Sequence, residues 1–125
     1  MDGKIRKLPD SELEVMQAVW ACREPVVRTD IEEYLRDRYP IAQTTLLTLL
    51  TRLAEKGFLE VKQAGRVRHY FPLVSRQSYL AQQGNRFFHK LCGGNLSAFA
   101  NALCDSGLTK EELAQLRQLL ERDAL

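Results

Sequence analysis

The strongest constraint on this fold is a leucine-rich helical pattern over residues 42–56 that leads at once into two short strand patterns. Four leucines share the spacing i, i+3, i+4 and i+7, which is the buried stripe of one amphipathic helix: Leu46, Leu49, Leu50 and Leu53. Gly57 predicts a left-handed cap at the end of this helix. Residues 58–63 and 67–73 read as strands around Ala64-Gly65, so the sequence predicts a helix followed by a β-hairpin.

Two further helices are predicted before this unit. The first covers residues 9–21, and the second covers residues 29–38 and ends before Pro40, because the residue before a proline avoids the helical conformation. Thr29 and Glu32 have the spacing of a capping box, so we expect Thr29 to cap the second helix. The two valines that precede it are expected to add one short strand.

Three amphipathic helices are predicted after the hairpin. Ser75 caps a fourth helix that extends to about Leu91, Gly93-Gly94 separates it from a fifth, and Thr109 with Glu112 opens a sixth through a capping box. In the second strand the alternation does not settle which way His69 and Tyr70 point, and we expect Tyr70 to point inward. The fold class is therefore mainly α with a small β-wing.

The predicted organisation is a winged helix-turn-helix domain over residues 1–74 and a helical dimerisation domain over residues 75–125. The helices after the hairpin would leave an apolar patch too large for a soluble monomer, and a two-fold homodimer would bury it. Packing within one chain is the alternative. The residues expected at this dimer contact are Phe87, Phe88, Leu91, Leu96, Phe99 and Leu103.

Charge and composition narrow the class of protein. The net charge is +2, but residues 40–80 carry six basic and two acidic side chains, so this region is where a nucleic-acid surface is expected. No apolar run approaches the length that spans a bilayer, and the N-terminus lacks the apolar region of a secretion signal. We therefore expect a cytoplasmic protein with no direct membrane binding.

Catalytic, cofactor and metal sites find no support in the residue pattern. The two histidines, His69 and His89, lie in different predicted elements, and no glycine-rich loop could cradle a phosphate. The three cysteines have no closely spaced pair, which argues against a disulfide framework or a metal site and favours small buried apolar residues. We expect neither an enzyme nor a bound cofactor.

The second and third helices have the order of a helix-turn-helix, in which the later helix enters the DNA major groove and the hairpin reaches flanking phosphates. Threonine hydroxyls, aliphatic methyls and arginine are all able to contact base edges. The candidate DNA-binding residues are Thr44, Leu47, Thr48, Thr51 and Arg52 on the third helix, with Lys62, Arg66 and Arg68 in the wing. Because the helical face is otherwise uncharged, a protein-interaction module that has lost DNA binding is the alternative.

At this point the chain resembles a known family, the penicillinase repressors (BlaI/MecI/CopY). The matching stretches are LPDSELEVMQAVW, TLLTLLTRLAEKGFLE, GRVRHYFPLVSRQSYL and LTKEELAQLRQLLE. The resemblance implies a homodimeric, cytoplasmic transcriptional repressor of resistance or stress genes, antibiotic resistance among them, with inverted-repeat operators of TACA/TGTA core. By position it places Thr44 to Arg52 on the recognition helix and Arg66 and Arg68 in the wing. Thr44 and Leu47 stand where relatives often have longer polar or basic side chains, so this chain brings fewer charges into the groove of the DNA.

The resemblance also implies ways in which repression ends. In the beta-lactam-responsive branch a membrane sensor protease cuts an Asn-Phe bond, which aligns with Asn101-Ala102 here, although Ala102 replaces the aromatic residue and Asn101 could equally be an ordinary polar residue. The copper-responsive branch carries a C-terminal cysteine pair that this chain lacks. Cys92 and Cys104 lie on different predicted helices, so a thiol- or metal-responsive repressor stays open as an alternative.

Overall fold

The computed structural model describes the backbone of residues 5–123. It contains helices, a π-helical turn and one two-stranded antiparallel sheet, which confirms the predicted fold class. In chain order the elements are α1 Asp10–Ala21, α2 Arg28–Arg36, α3 Gln43–Glu55, β1 Leu59–Ala64, β2 Val67–Pro72, α4 Arg76–Arg86, the π-turn Phe87–Leu91, α5 Leu96–Asp105 and α6 Lys110–Asp123. The chain divides into two compact units, of which the first ends at Gln83 and the second begins at Gly84.

A hydrophobic core lies within the first unit, and it includes all four leucines of the α3 stripe. Sixteen hydrophobic residues are buried there: Leu8, Val15, Met16, Ala18, Val19, Val26, Ile31, Leu35, Leu46, Leu49, Leu50, Leu53, Phe58, Leu59, Tyr70 and Tyr79. Their burial is the main favourable contribution to folding of this unit. One charged residue, Glu12, is buried with them, and its carboxylate forms an ion pair with the ammonium of Lys56 at the end of α3.

The hairpin is joined to the helices by a short bridge. β1 and β2 pair from Leu59 opposite Pro72 to Ala64 opposite Val67, and Tyr70 also pairs with Val26, whose carbonyl accepts a hydrogen bond from the Tyr70 amide at 2.9 Å. The inward position of Tyr70 is thus confirmed, whereas the short strand expected from the two valines before α2 is reduced to a bridge at Val26 alone. The positive φ of Gly57, 84°, lets the chain turn from α3 into the wing.

The helix caps follow the sequence in two places and depart from it in one. The Ser75 hydroxyl accepts from the Ser78 amide at 3.0 Å, and Thr109 and Glu112 bond reciprocally, as a capping box requires. The cap predicted at Thr29 is wrong. α2 begins one residue earlier, at Arg28, because the bridge at Val26 holds the preceding backbone extended, and Val27 provides no side-chain cap.

The first residues of α4 belong to the first unit and pack against α1. The Tyr79 hydroxyl accepts a hydrogen bond from the Leu8 amide at 2.9 Å, and the Tyr79 ring lies 5.8 Å from Trp20. The Trp20 indole in turn donates to the Val74 carbonyl at 2.9 Å. These contacts hold the segment after the wing against α1.

The second unit is organised differently. No side chain between residues 84 and 122 is buried in the part of the chain that the structure describes. Phe99 lies against Phe87 and Phe88, with ring centroids 5.8 Å and 5.6 Å away, and these rings are half-buried at most. Leu91 and Leu96 are 74% and 71% exposed. The sequence-based assignment of residues 75–125 to dimerisation stays a prediction.

Candidate nucleic-acid interface

One face of α3 lies opposite the buried leucines and carries the residues that the sequence singled out. Thr44, Thr48, Thr51 and Arg52 are exposed on it, and Arg52 stands in the last turn. Leu47 is half-buried. It lines the groove between α3 and the wing, together with Arg68 and Tyr70, which explains an apolar residue on an otherwise polar face.

The threonine hydroxyls on this face have internal partners. The Thr48 Oγ1 donates to the Thr44 carbonyl at 3.1 Å, and the Thr51 Oγ1 donates to the Leu47 carbonyl at 3.0 Å. Each is an i−4 bond of the kind that threonine makes within a helix. The hydroxyl hydrogens of Thr48 and Thr51 therefore point back toward their own helix.

The wing arginines meet α2 and α3 around one open groove. Its volume is about 610 Å³, and its lining is formed by Val27, Arg28, Thr29, Leu47, Arg66, Val67, Arg68 and Tyr70. Three arginines, Arg28, Arg66 and Arg68, thus line a concave surface beside the exposed face of α3. Such a surface attracts a polyanion.

Arg28 is the residue of this groove that sequence reasoning missed. It lies almost forty residues before the wing, in the N-terminal third of the chain, where acidic residues outnumber basic ones. Its Nε lies 3.2 Å from a carboxylate oxygen of Glu32. Its position in the first turn of α2 was the available signal, since α2 is the first helix of the predicted helix-turn-helix.

Lys62 is separated from the other wing cations. Side chains alternate between the two faces of a hairpin, and the register pairs Lys62 with His69, so Lys62 lies on the face opposite to Arg68 and Tyr70. Its ammonium is 4.0 Å from the Glu60 carboxylate and 5.4 Å from the centre of the Phe71 ring. Of the three basic residues expected in the wing, Lys62 therefore lies apart from Arg68.

Asn101 and Ala102, the residues of the possible cleavage site, are both exposed on α5. Of the six residues expected at a dimer contact, Phe87, Leu91 and Leu96 are exposed, and Phe88, Phe99 and Leu103 are half-buried.

The cysteines differ from the expectation of burial. Cys104 is exposed, Cys22 and Cys92 are half-buried, and all three are free. Burial, followed by the nearby charges of Asp30 and Glu33, raises the pKa of the Cys22 thiol. Within residues 5–123, no group of three or more His, Cys, Asp and Glu side chains is placed to hold a metal ion. No helix there is long and apolar enough to cross a bilayer.

Comparison with known proteins points to one family over nearly the whole chain. The family model described as penicillinase repressor matches residues 8–122. The penicillinase repressor of Bacillus licheniformis is 30% identical over 94% of this chain and 92% of its own length. The methicillin resistance regulatory protein MecI of Mammaliicoccus sciuri is 29% identical over 98% of this chain and 99% of its own length.

A solved structure is similar to part of the chain. It is the solution structure of the monomeric form of Bacillus licheniformis BlaI in complex with the blaP half-operator. The TM-score is 0.51 at 32% sequence identity, and the match covers 61% of this chain and 92% of that one.

Proposed function

Because the chain belongs to the penicillinase repressor family, we propose that it represses transcription by binding a duplex DNA operator. α3 enters the major groove with the face of Thr44, Leu47, Thr48 and Thr51, and Arg52 at its end reaches a phosphate or a guanine. This is the geometry in which a helix-turn-helix presents its second helix to base edges. The similarity to BlaI, solved with a half-operator, supports the proposal.

The observation that carries the proposal is the groove in which Arg28, Arg66 and Arg68 lie beside the exposed face of α3. A recognition face whose charged residue is Arg52, in its last turn, needs further cations next to it, because phosphate contacts supply a large share of the affinity of a protein for DNA. Arg28, Arg66 and Arg68 would neutralise phosphates of the DNA backbone, next to the major groove that α3 enters. The function that this groove supports is the binding of DNA.

The wing provides the first test of this proposal. Replacing Arg66 and Arg68 by Ala should weaken binding to every duplex and reduce the slope of log affinity against log salt by about two units, since each neutralised phosphate contributes about 0.9. Lys62→Ala is the matched control, because Lys62 faces away from this groove. The measurement is fluorescence anisotropy on the promoter of the chain's own gene at several salt concentrations.

Three results of this experiment would contradict the proposal. Wild-type protein that binds no duplex DNA would favour the protein-interaction module. An unchanged slope in the double variant, or an equal change in Lys62→Ala, would remove the groove from the DNA contact.

We further propose that the operator is palindromic and that the second unit forms the homodimer. The apolar side chains of residues 84–122 have no buried position in one chain, and a second copy provides an identical apolar surface around a two-fold axis. Two recognition helices would then contact half-sites about 34 Å apart, one turn of DNA. Linking two half-sites multiplies the affinity of each.

Relief of repression follows from loss of this dimer. Cleavage between Asn101 and Ala102 by a membrane sensor protease would divide α5, and both residues are exposed on that helix. We place the protein in the cytoplasm, where such a protease and the antibiotic-resistance genes under control would be accessible.

Mass spectrometry of the protein from cells treated with a beta-lactam tests this route. Fragments ending at Asn101 are expected when the promoter becomes active, and the Asn101→Asp variant, with its added charge at the scissile bond, should stay intact. An intact wild-type chain on an active promoter would exclude proteolysis and direct attention to Cys92 and the exposed Cys104 as thiol or metal sensors.

A further inference from the structure

The groove between α3 and the wing has a mainly apolar lining. Its volume is about 430 Å³, and it is lined by Leu47, Leu50, Thr51, Ala54, Glu55, Val61, Arg68 and Tyr70. The helix contributes one edge, where Leu47, Leu50 and Ala54 recur at the spacing of a helical stripe. The wing contributes Val61 and Tyr70, which pair across the hairpin and therefore share one face. An apolar groove of this size is suited to a small ligand.

Two opposite charges stand at different places on this lining. Leu47 and Arg68 also line the groove of the wing arginines, so they lie where the two grooves meet. Glu55 follows Leu47 by eight residues, which is about 12 Å along the helix axis. Within the part of the chain that the structure describes, neither Arg68 nor Glu55 has an ion-pair partner. The groove therefore has an unpaired cation toward one end and an unpaired anion toward the other.

We propose that this groove binds a small aromatic monocarboxylate and that the bound acid competes with DNA. The carboxylate of the ligand forms an ion pair with Arg68, and its rings cover the apolar side chains of Leu47, Ala54 and Val61. The site itself goes beyond the proposed function, whereas the competition rests on it.

Each part of the groove selects one feature of the ligand. The Arg68 guanidinium offers paired donors whose geometry matches a carboxylate. The Glu55 carboxylate repels a second acid group at the other end. The apolar lining between them favours aromatic rings, because their transfer out of water is the gain that binds the ligand. A phosphate of the DNA backbone has no such apolar body, and the proposed phosphate contacts therefore lie in the groove of the wing arginines.

The competition follows from shared residues. Leu47, Thr51 and Arg68 line this groove and also belong to the surface that the proposed function assigns to DNA. An acid bound against these side chains occupies space that the duplex would take. Coupling between two ligands is reciprocal, so a saturating acid should weaken duplex binding by roughly 10-fold, and the duplex should weaken acid binding by the same factor.

The first experiment titrates the full chain, without DNA, with three biphenyl probes by isothermal titration calorimetry. The probes are para-biphenylcarboxylate, the neutral para-biphenylmethanol, and the diacid that carries a carboxylate at each end. We expect the alcohol to bind about 5- to 10-fold more weakly than the monoacid, because it loses the ion pair with Arg68. The diacid should also bind more weakly, because its second carboxylate meets Glu55. Arg68→Ala should remove the preference for the monoacid over the alcohol.

Three further variants locate the acid in this groove. Glu55→Gln removes the anion and should bring the diacid to the affinity of the monoacid, a gain that a misfolded chain would not produce. Val61→Trp fills the groove from a position that is 40% exposed, and it should abolish binding of the monoacid. Glu60→Trp is the matched control, because neighbouring residues of a strand point to opposite faces, and it should bind the monoacid as the wild type does.

The second experiment measures the competition. Fluorescence anisotropy on the promoter duplex is repeated in saturating para-biphenylcarboxylate, where the wild type should bind the duplex roughly 10-fold more weakly than without the acid. The affinity of Val61→Trp for the duplex should not respond to the acid.

The outcomes separate this site from the proposed function. No binding of the monoacid, equal binding of the monoacid and the alcohol, or wild-type affinity for the monoacid in Val61→Trp would overturn the carboxylate site. An unchanged affinity of the wild type for the duplex in saturating acid would overturn the competition. A wild-type chain that binds the acid in calorimetry but binds no duplex would contradict the proposed function and support the carboxylate site.

Discussion

The two compact units of this chain differ in what covers their apolar side chains. In the first, sixteen hydrophobic residues are buried, whereas in the second no described residue is buried and Leu91 and Leu96 are more than two-thirds exposed. Both units have helices with one apolar face, so amphipathic periodicity is common to the two. The first unit therefore supplies its own stability, and the second needs a covering surface, which we propose is a second copy of the chain.

The largest effect should come from the core of the first unit. Phe58 is 1% exposed, and Phe58→Ala should lower the free energy of unfolding by about 3–5 kcal/mol through lost burial and the resulting cavity. Leu96→Ala, in the second unit, should change the free energy of unfolding of the first unit by less than about 0.5 kcal/mol at a protein concentration where the chain is monomeric, because Leu96 is exposed there and lies outside the buried core. Urea unfolding followed by fluorescence of Trp20, the single tryptophan, reports on the first unit. Equal losses in the two variants would contradict the difference between the units.

The oligomeric state provides the next test of the difference between the two units. Leu96→Asp places a charge in the proposed dimer contact and should raise the dimer dissociation constant by roughly 100-fold, which is the effect of a hot-spot residue. Leu73→Asp is the control, because Leu73 is 58% exposed but lies in the first unit. Sedimentation velocity measures both. A wild-type chain that is monomeric at micromolar concentration, or a dimer that persists in Leu96→Asp, would show that another surface or partner covers the second unit.

A smaller effect, on the affinity for DNA, is expected from replacing Arg28. If its guanidinium leaves Glu32 for a DNA phosphate, Arg28→Ala should weaken binding and reduce the salt slope by about one unit. Glu32→Gln should strengthen binding a few-fold, because it removes the competing carboxylate from an ion pair worth at most about 1 kcal/mol.

The second unit offers a matched control for that prediction. Arg117 and Glu121 form another i,i+4 pair, at 3.3 Å, and Arg117→Ala should leave the salt slope unchanged. The measurement is anisotropy over a salt series with the same duplex for all variants. A weaker duplex affinity in Glu32→Gln would indicate that the Arg28–Glu32 pair supports the structure instead of competing with DNA.

The smallest effect concerns thiol reactivity. Burial and the charges of Asp30 and Glu33 raise the pKa of Cys22, so at neutral pH it carries less of the reactive thiolate than an exposed thiol does. Iodoacetamide should therefore modify Cys104 before Cys22, and the rate at Cys22 should continue to rise as the pH increases. Peptide mass spectrometry over time measures the order, and faster modification of Cys22 would contradict the assignment of its environment.

Local signals explain why much of the fold was predictable. The α3 stripe, the Gly57 cap, the Ser75 cap and the capping box at Thr109 each depend on residues within one or two helical turns, where spacing alone determines the geometry. The cap at Thr29 failed although its spacing was correct, because the bridge between Val26 and Tyr70 fixed the backbone just before α2.

The candidate site was predictable only in part. The face of α3 follows from helical spacing, since a residue opposite a buried stripe is exposed. The separation of Lys62 from Arg68 depends on the exact register of the hairpin, and a shift of one residue would exchange the two faces. The spacing of basic residues along the chain does not reveal the register, because the same sequence places the same charges in the wing in either register.

The sequence by itself determined the order of the helices and strands, the buried face of α3 and the family to which the chain belongs, because periodicity and motif are properties of neighbouring residues. Tertiary structure alone decided that Arg28 joins the wing arginines and that Lys62 lies on the other face of the hairpin from Arg68. The first requires packing between segments almost forty residues apart, and the second depends on the register in which the two strands pair.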